Sequence, residues 1–290
     1  NIAGNFVIGN GTNAGATASA NNPSFSVAGV MTVAAGATYT TGSGTLTLSG
    51  AGTPLVVTGT FTASTNNTVV YSATTPANVA ATTYFNLTLA PTGGSDTTYT
   101  LGTVAAQTIR TDGTFTIGVG NGTELEVNAN TYGTALDVRG HLTVKESSWY
   151  TPGSGIMTFR RGNSQTVTDE YGASNFGVVQ ISANGGNTNL TYLDSGVNYF
   201  WMVRRLIVDA SQTFTMSSDA ELGLTDAGTG ASRPLQVASG AVMAYGTSNK
   251  IHYNGDAATE VEPISYPALH ISPSDGSPTF TIYGTAQTLT

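Results

Sequence analysis

The chain reads as all-β, a single-stranded parallel β-helix (β-solenoid) of about ten three-sided coils. Three observations predict this fold. A Gly-x-φ-x-φ pattern, with φ apolar, returns along the sequence at intervals of 25 to 37 residues. Further short apolar-alternating pairs lie between its copies. Helical periodicity of three and four is nearly absent, apart from a trace over 199–206. A period in this range marks a stack of units that bury their apolar faces only against their neighbours.

The clearest copies are Gly4-Asn-Phe-Val-Ile8, Gly29-Val-Met-Thr-Val33, Gly59-Thr-Phe-Thr-Ala63, Gly113-Thr-Phe-Thr-Ile117 and Gly140-His-Leu-Thr-Val144. Weaker copies are Phe85-Asn-Leu-Thr-Leu89, Gly177-Val-Val-Gln-Ile181, Arg204-Arg-Leu-Ile-Val208, Gly240-Ala-Val-Met-Ala244 and Pro267-Ala-Leu-His-Ile271. Coils therefore start near 4, 29, 59, 85, 113, 140, 177, 204, 240 and 267. The whole of 1–290 forms one elongated solenoid domain. Alternation over three to five residues buries one strand face and wets the other. Within the coils, pairs such as Leu125/Val127, Leu190/Tyr192, Phe200/Met202 and Leu222/Leu224 supply the other sides. Phe61 and Leu87 are expected on adjacent layers of one wall. The two longest intervals place loops around Lys145–Ser154 and Ala227–Arg233, since repeat folds accept insertions at a corner. The competing architecture is a set of tandem immunoglobulin-like sandwiches, for which these periods are too short.

Composition narrows the function classes. There is no cysteine, which excludes a disulfide framework and a cysteine metal site. No apolar run is long enough to span a membrane as a helix. The net charge is −8 with 9% charged residues, and no basic stripe suits nucleic acid. No charged residue or histidine precedes Asp96. Soluble surfaces normally carry charge against self-association, so this stretch suggests a surface covered by another subunit or by glycans. Asn-x-Ser/Thr acceptors for N-glycosylation lie at Asn10, Asn66, Asn86, Asn121 and Asn189.

The start at Asn1 is expected of a processed product or an excised fragment. Asn1–Ile8 has the phase of Arg110–Ile117, and Thr290 nearly that of Arg110. Close to a whole number of coils is expected, with open ends that pair with one another or with further solenoid of the same parent chain.

Gly59-Thr-Phe-Thr-Ala-Ser-Thr-Asn-Asn-Thr-Val-Val-Tyr71, followed by Thr83-Tyr-Phe-Asn-Leu-Thr-Leu89, resembles the repeat of large secreted prokaryotic surface proteins, adhesin-like solenoids. Ile156–Phe159 with Asn163–Val167 is similar to the middle of that repeat. The stretch 199–205 departs from it. The resemblance implies an extracellular or cell-surface location and an adhesin-like or filament-forming role.

Catalytic patterns are weak. Glu124/Glu126, Asp219/Glu221 and Glu260/Glu262 are alternate-residue pairs, expected on solvated outer faces. Asp169-Glu170 and Arg160-Arg161 suggest a surface ion pair. His141, His252 and His270 sit at outward positions; His141 and His270 lie too far apart to share a metal. No nucleophile elbow, phosphate loop or zinc-helix motif occurs. No cofactor site is read here; calcium on scattered Asp and carbonyl oxygens has no specifying pattern. Trp149 and Tyr150 on the first expected loop, with Tyr171 later in that coil, are the candidate contacts for glycans or a neighbouring molecule. The sequence thus favours a non-enzymatic structural protein, a subunit or segment of a surface filament or layer assembled coil on coil. The alternatives are the stalk of an adhesin, a carbohydrate-active β-helix enzyme and a phage tail fibre.

Overall fold

A computed structural model describes residues 1–10, 14–93, 96–120, 122–193, 200–273 and 278–284. The chain is a β-solenoid of about 11 turns, all-β among the described residues apart from one short 3₁₀ turn at Gly230–Ser232. Every described strand pair is parallel, which removes the sandwich alternative. Two compact units are present, Asn1–Gly155 and Ile156–Thr290.

In the first unit each turn passes through three walls. The first wall holds Phe6–Ile8, Met31–Val33 and Leu55–Val57 as one sheet, then Ala77–Val79, Thr97–Leu101, Leu125–Asn128 and Ser148–Thr151 as another. The second wall likewise changes sheet, from Ala14–Thr17, Ala37–Thr40 and Thr60–Thr62 to Thr83–Tyr84, Thr108–Thr111 and Ala135–Val138. The third wall runs unbroken through Phe25–Val27, Thr45–Leu48, Thr68–Tyr71, Asn86–Leu89, Phe115–Ile117 and Leu142–Val144. Its register stacks Leu46, Val69, Leu87, Phe115 and Leu142 in one buried column. Thr47, Val70, Thr88, Thr116 and Thr143 line the outer face between these layers. The threonine-rich alternation is therefore the section of a wall with one dry and one wet side.

The second unit repeats this plan. One wall holds Phe200–Val203, Glu221–Leu224, Lys250–Tyr253 and Leu269–Ile271; another holds Ile156–Phe159, Val178–Ile181, Arg205–Val208 and Leu235–Val237. A third holds Ser164–Asp169, Asn189–Leu193, Thr213–Met216 and Val242–Ala244. Thr259–Val261 pairs with Phe280–Ile282. Trp201 is fully buried and stacks on Tyr192 and Phe214, each at a ring-centroid distance of 5.4 Å.

The coil phase differs from the sequence expectation. The Gly-x-φ-x-φ copies mark a strand entered from a corner, not one wall. Gly4, Gly29 and Pro267 lead first-position strands, Gly59, Gly177 and Arg204 second-position strands, and Phe85, Gly113, Gly140 and Gly240 third-position strands. The two longest intervals are therefore steps between walls. Phe61 and Leu87 accordingly lie on different walls. The expected loop at 145–154 contains a regular strand, Ser148–Thr151, in register with Leu125–Asn128. Ala227–Arg233 does leave the wall, through the 3₁₀ turn. Within Phe200–Val203, Trp201 and Val203 are buried and Met202 is only partly so, one position from the expected inward Met202, because the indole fills the interior. Register sets Met243 opposite Phe214, so Val242 and Ala244 face outward.

Turns differ in length. Along the third wall, Val69 to Leu87 spans 18 residues, whereas Leu87 to Phe115 spans 28. The short turn is drawn in by two tyrosines. Ala80 N–H donates to Tyr71 Oη at 3.1 Å, and Tyr84 Oη donates to the Ala80 carbonyl at 2.8 Å. The two hydroxyls lie 2.9 Å apart. With Tyr84's proton committed to Ala80, the Tyr71 hydroxyl must donate to Tyr84. Burial pushes Tyr71 up to about 12 and Tyr84 well above the ordinary phenol range. The second unit repeats the device at the same spacing. Glu262 N–H donates to Tyr253 Oη at 3.2 Å, Tyr266 Oη donates to the Glu262 carbonyl at 2.6 Å, and the hydroxyls are 2.9 Å apart.

Candidate functional site

Outward side chains of successive turns stack as regularly as the core, so chemistry gathers in short columns on the walls. Two columns concern function.

The first lies on the Ala77–Thr151 sheet of the first unit. Register sets Thr98 beside Glu126 and Glu126 beside Trp149. Thr98 Oγ1 donates to Glu126 Oε2 at 3.3 Å, and Asn128 Nδ2 donates to Oε1 at 3.1 Å. Trp149, Glu126, Glu124, Asp96, Thr97, Thr98 and Pro76 line a shallow cleft of about 230 Å³. An indole face beside carboxylate acceptors offers a stacking surface for the C–H face of a sugar ring and acceptors for its hydroxyls. Sequence reasoning singled out Trp149 but set it on a loop; it stands on a strand and half-exposed. Tyr150, expected beside it as a contact, points inward and is 3% exposed; burial pushes its hydroxyl up. Tyr171 is exposed, but in the second unit, on a corner held by Asp169. The buried Asp169 carboxylate accepts from the N–H groups of Tyr171, Gly172 and Ser174. It thus shapes a corner instead of standing on the surface as expected. Burial raises its pKa against these donors.

The second column lies on the Phe200–Ile271 wall. Lys250 Nζ meets Glu221 Oε1 at 2.5 Å, and His252 Nε2 meets Glu221 Oε2 at 2.8 Å. His252 and His270 are register partners with ring centroids 4.7 Å apart. Burial lowers the His252 pKa more than the Glu221 charge raises it. Burial pushes Glu221 up, yet the bonds from Lys250 and His252 outweigh it and hold the carboxyl low. Sequence reasoning compared His141 with His270 and missed this pair. The signal was present: Ile251-His-Tyr253 and Leu269-His-Ile271 share one φ-His-φ frame. No group of three or more metal-binding side chains gathers among the described residues.

The carboxylate pairs divide. Glu124 is exposed and Glu126 half-exposed, as expected of an outer face. Glu262, however, lies past the end of its strand and is 5% exposed, a correction to the outer-face reading. Its carboxylate binds Arg233 Nε at 2.5 Å and accepts Val237 N–H at 3.2 Å.

Of the glycan acceptors, Asn10 and Asn66 are exposed, Asn66 in a left-handed turn at φ 67°. Asn86 is a rung between turns: it donates to Thr68 Oγ1 at 3.3 Å and accepts Thr114 N–H at 2.8 Å. Asn189 accepts from Thr215 Oγ1 at 3.0 Å. Asn121 lies outside the described residues. No protein-family model, no curated protein and no solved structure matches the chain.

Proposed function

We propose that this chain is a structural solenoid of the cell exterior that assembles by adding coil to coil. The observation that carries the reading is the last described turn. Ile271 pairs with the fully buried Tyr253, and Ile282 with the buried Val261, so both continue inward columns. Yet Ile271 is 45% exposed and Ile282 37%. These side chains hold core positions without a covering layer among the described residues. The strands that carry them, Leu269–Ile271 and Phe280–Ile282, are the last of their sheets among the described residues, with backbone edges set for another parallel strand. A first turn such as Phe6–Val27, on a second copy or on further solenoid of the parent chain, supplies that layer. The small charge over residues 1–95 favours such contact.

Sedimentation velocity and negative-stain micrographs of the intact chain across a concentration series test the reading. Concentration-dependent linear oligomers are expected. A monodisperse monomer at every concentration overturns assembly between copies. A second reading, the stalk of an adhesin that binds glycans, is favoured by the Trp149 cleft. A glycan array that retains the native chain but not Trp149→Ala supports it.

A further inference from the structure

The two tyrosine-stapled turns each sit below an edge strand of the same form, Pro54-Leu-Val-Val57 in the first unit and Pro234-Leu-Gln-Val237 in the second. Both strands end their sheets. In the first, Pro54 O accepts from Met31 N–H and Thr58 N–H donates to Val33 O. In the second, Pro234 O accepts from Leu206 N–H and Ala238 N–H donates to Val208 O. Backbone groups alternate sides along a parallel strand. The N–H and C=O of Val57, and those of Val237, therefore face away from the sheet toward the stapled turn. That turn offers no rung, because the tyrosine hydroxyls hold the N–H and C=O of Ala80 and of Glu262.

The second unit fills the vacancy with side chains. Glu262 turns its carboxylate up to Val237 N–H, Arg233 binds that carboxylate, and Tyr283 packs under the guanidinium at 3.7 Å from the ring centroid. The first unit has small residues at all three places: Ala80 for Glu262, Thr53 for Arg233, and Gly102 after Leu101 where Tyr283 follows Ile282. The result is an open cleft of about 290 Å³ whose lining includes Val57, Thr58, Thr53, Ala80, Thr103 and Gln107. Thr103 and Gln107 belong to the next turn but one below Leu55–Val57. The opening therefore spans two strand spacings, on the order of 10 Å, which leaves room for one extended backbone. Val57, in register with the fully buried Val33, is partly exposed because that rung is missing.

We propose that this notch binds one extended peptide strand with uncharged, small or β-branched side chains, added to the free edge of Leu55–Val57. The peptide backbone accepts from Val57 N–H and donates to its C=O, as the missing rung would. No ionisable side chain lines the notch, so a charged residue entering it would lose its hydration without a partner.

Hydrogen exchange of the intact chain, read at single amides by NMR, tests the site. The probe is acetyl-Thr-Val-Thr-Val-Thr-amide at millimolar concentration. Without it, Val57 N–H exchanges fast while Val237 N–H is protected; with it, Val57 slows at least tenfold and saturably, and Val237 is unchanged. The double variant Thr53→Arg, Ala80→Glu rebuilds the second unit's plug, so Val57 is protected from the outset and the peptide has no effect. If that variant misfolds, Val57→Pro serves instead: it removes the donor without touching the sheet ladder and weakens peptide binding at least tenfold, read from the shifts of the neighbouring amides Thr58 and Ala80 as the peptide is titrated. A Val57 amide already protected in the native chain, or unmoved by the peptide, overturns the proposal. So does equal protection by acetate alone, which would mark a carboxylate site.

Discussion

Tyr71 and Tyr84 show how single hydroxyls set the length of a turn. Both rings are fully buried, and their hydroxyls satisfy a corner peptide that would otherwise be orphaned. Removing one partner of a buried hydrogen bond leaves the other unsatisfied, at about 1–3 kcal/mol. Tyr71→Phe strands Ala80 N–H, and Tyr84→Phe strands the Ala80 carbonyl. Each is expected to lower stability by that amount in urea unfolding. The double variant should cost less than the sum, because the hydroxyls also bond to each other. The Glu221–His252 pair makes a separate prediction. The folded pKa of His252 is depressed, so the unfolded chain binds more protons below the ordinary histidine range. Stability is then full above about pH 6.5 and falls as the pH drops through the folded value. Glu221, also depressed, acts in the same direction lower on the scale, below about pH 4.5. His252→Gln should flatten the first part of the loss, which sets in as the pH falls below about 6.5, measured as unfolding midpoints at fixed ionic strength.

Among the elements, corners explain the recurrent glycine. A Cβ on Gly140 would overlap the backbone of Gly113 one turn earlier, and one on Gly29 would overlap that of Gly4. Neither glycine has a positive φ; the need is close approach of successive turns, not a left-handed backbone. Gly140→Ala is expected to cost about 1–3 kcal/mol through forced separation of those corners. An outward change nearby, Thr143→Ser, should stay within about 0.5 kcal/mol. In the wall itself, Leu87→Ala should cost about 2–5 kcal/mol, since neighbours above and below fix the cavity. Chemical unfolding of the three variants ranks them. This origin of the glycines shows why the strands were legible in the sequence and the walls were not. Alternation and a glycine corner identify a strand locally. Which wall it joins depends on the length of every preceding turn, and turns here vary from 18 to 28 residues along a single wall. Trp149 and Tyr150 misled for the same reason, an apparent insertion being a change of wall. The His252–His270 contact was hidden because it spans one short turn.

For the molecule as a whole, the same lesson reaches its function. Alternation in the sequence implies that turns cover one another; only the fold shows where that cover is missing. The uncovered inward positions of the last described turn carry the assembly reading, and they give it a sharp test. Ile271 and Ile282 sit in columns whose previous members, Tyr253 and Val261, are buried. If another turn docks there, lysine at Ile271 or Ile282 puts an ammonium into an apolar contact and weakens association at least tenfold. In the free monomer both positions already meet solvent, so folding should change little. Thr143→Lys, on an outward face of the third wall, serves as the control and should assemble like the native chain. Sedimentation velocity of the three variants at matched concentration, with far-UV circular dichroism to confirm the fold, reads the outcome. Loss of oligomers in the isoleucine variants alone places the joint at this edge. Equal association in all three would move it elsewhere, and a collapse of the fold in Ile271→Lys would show that the edge is covered within the chain itself.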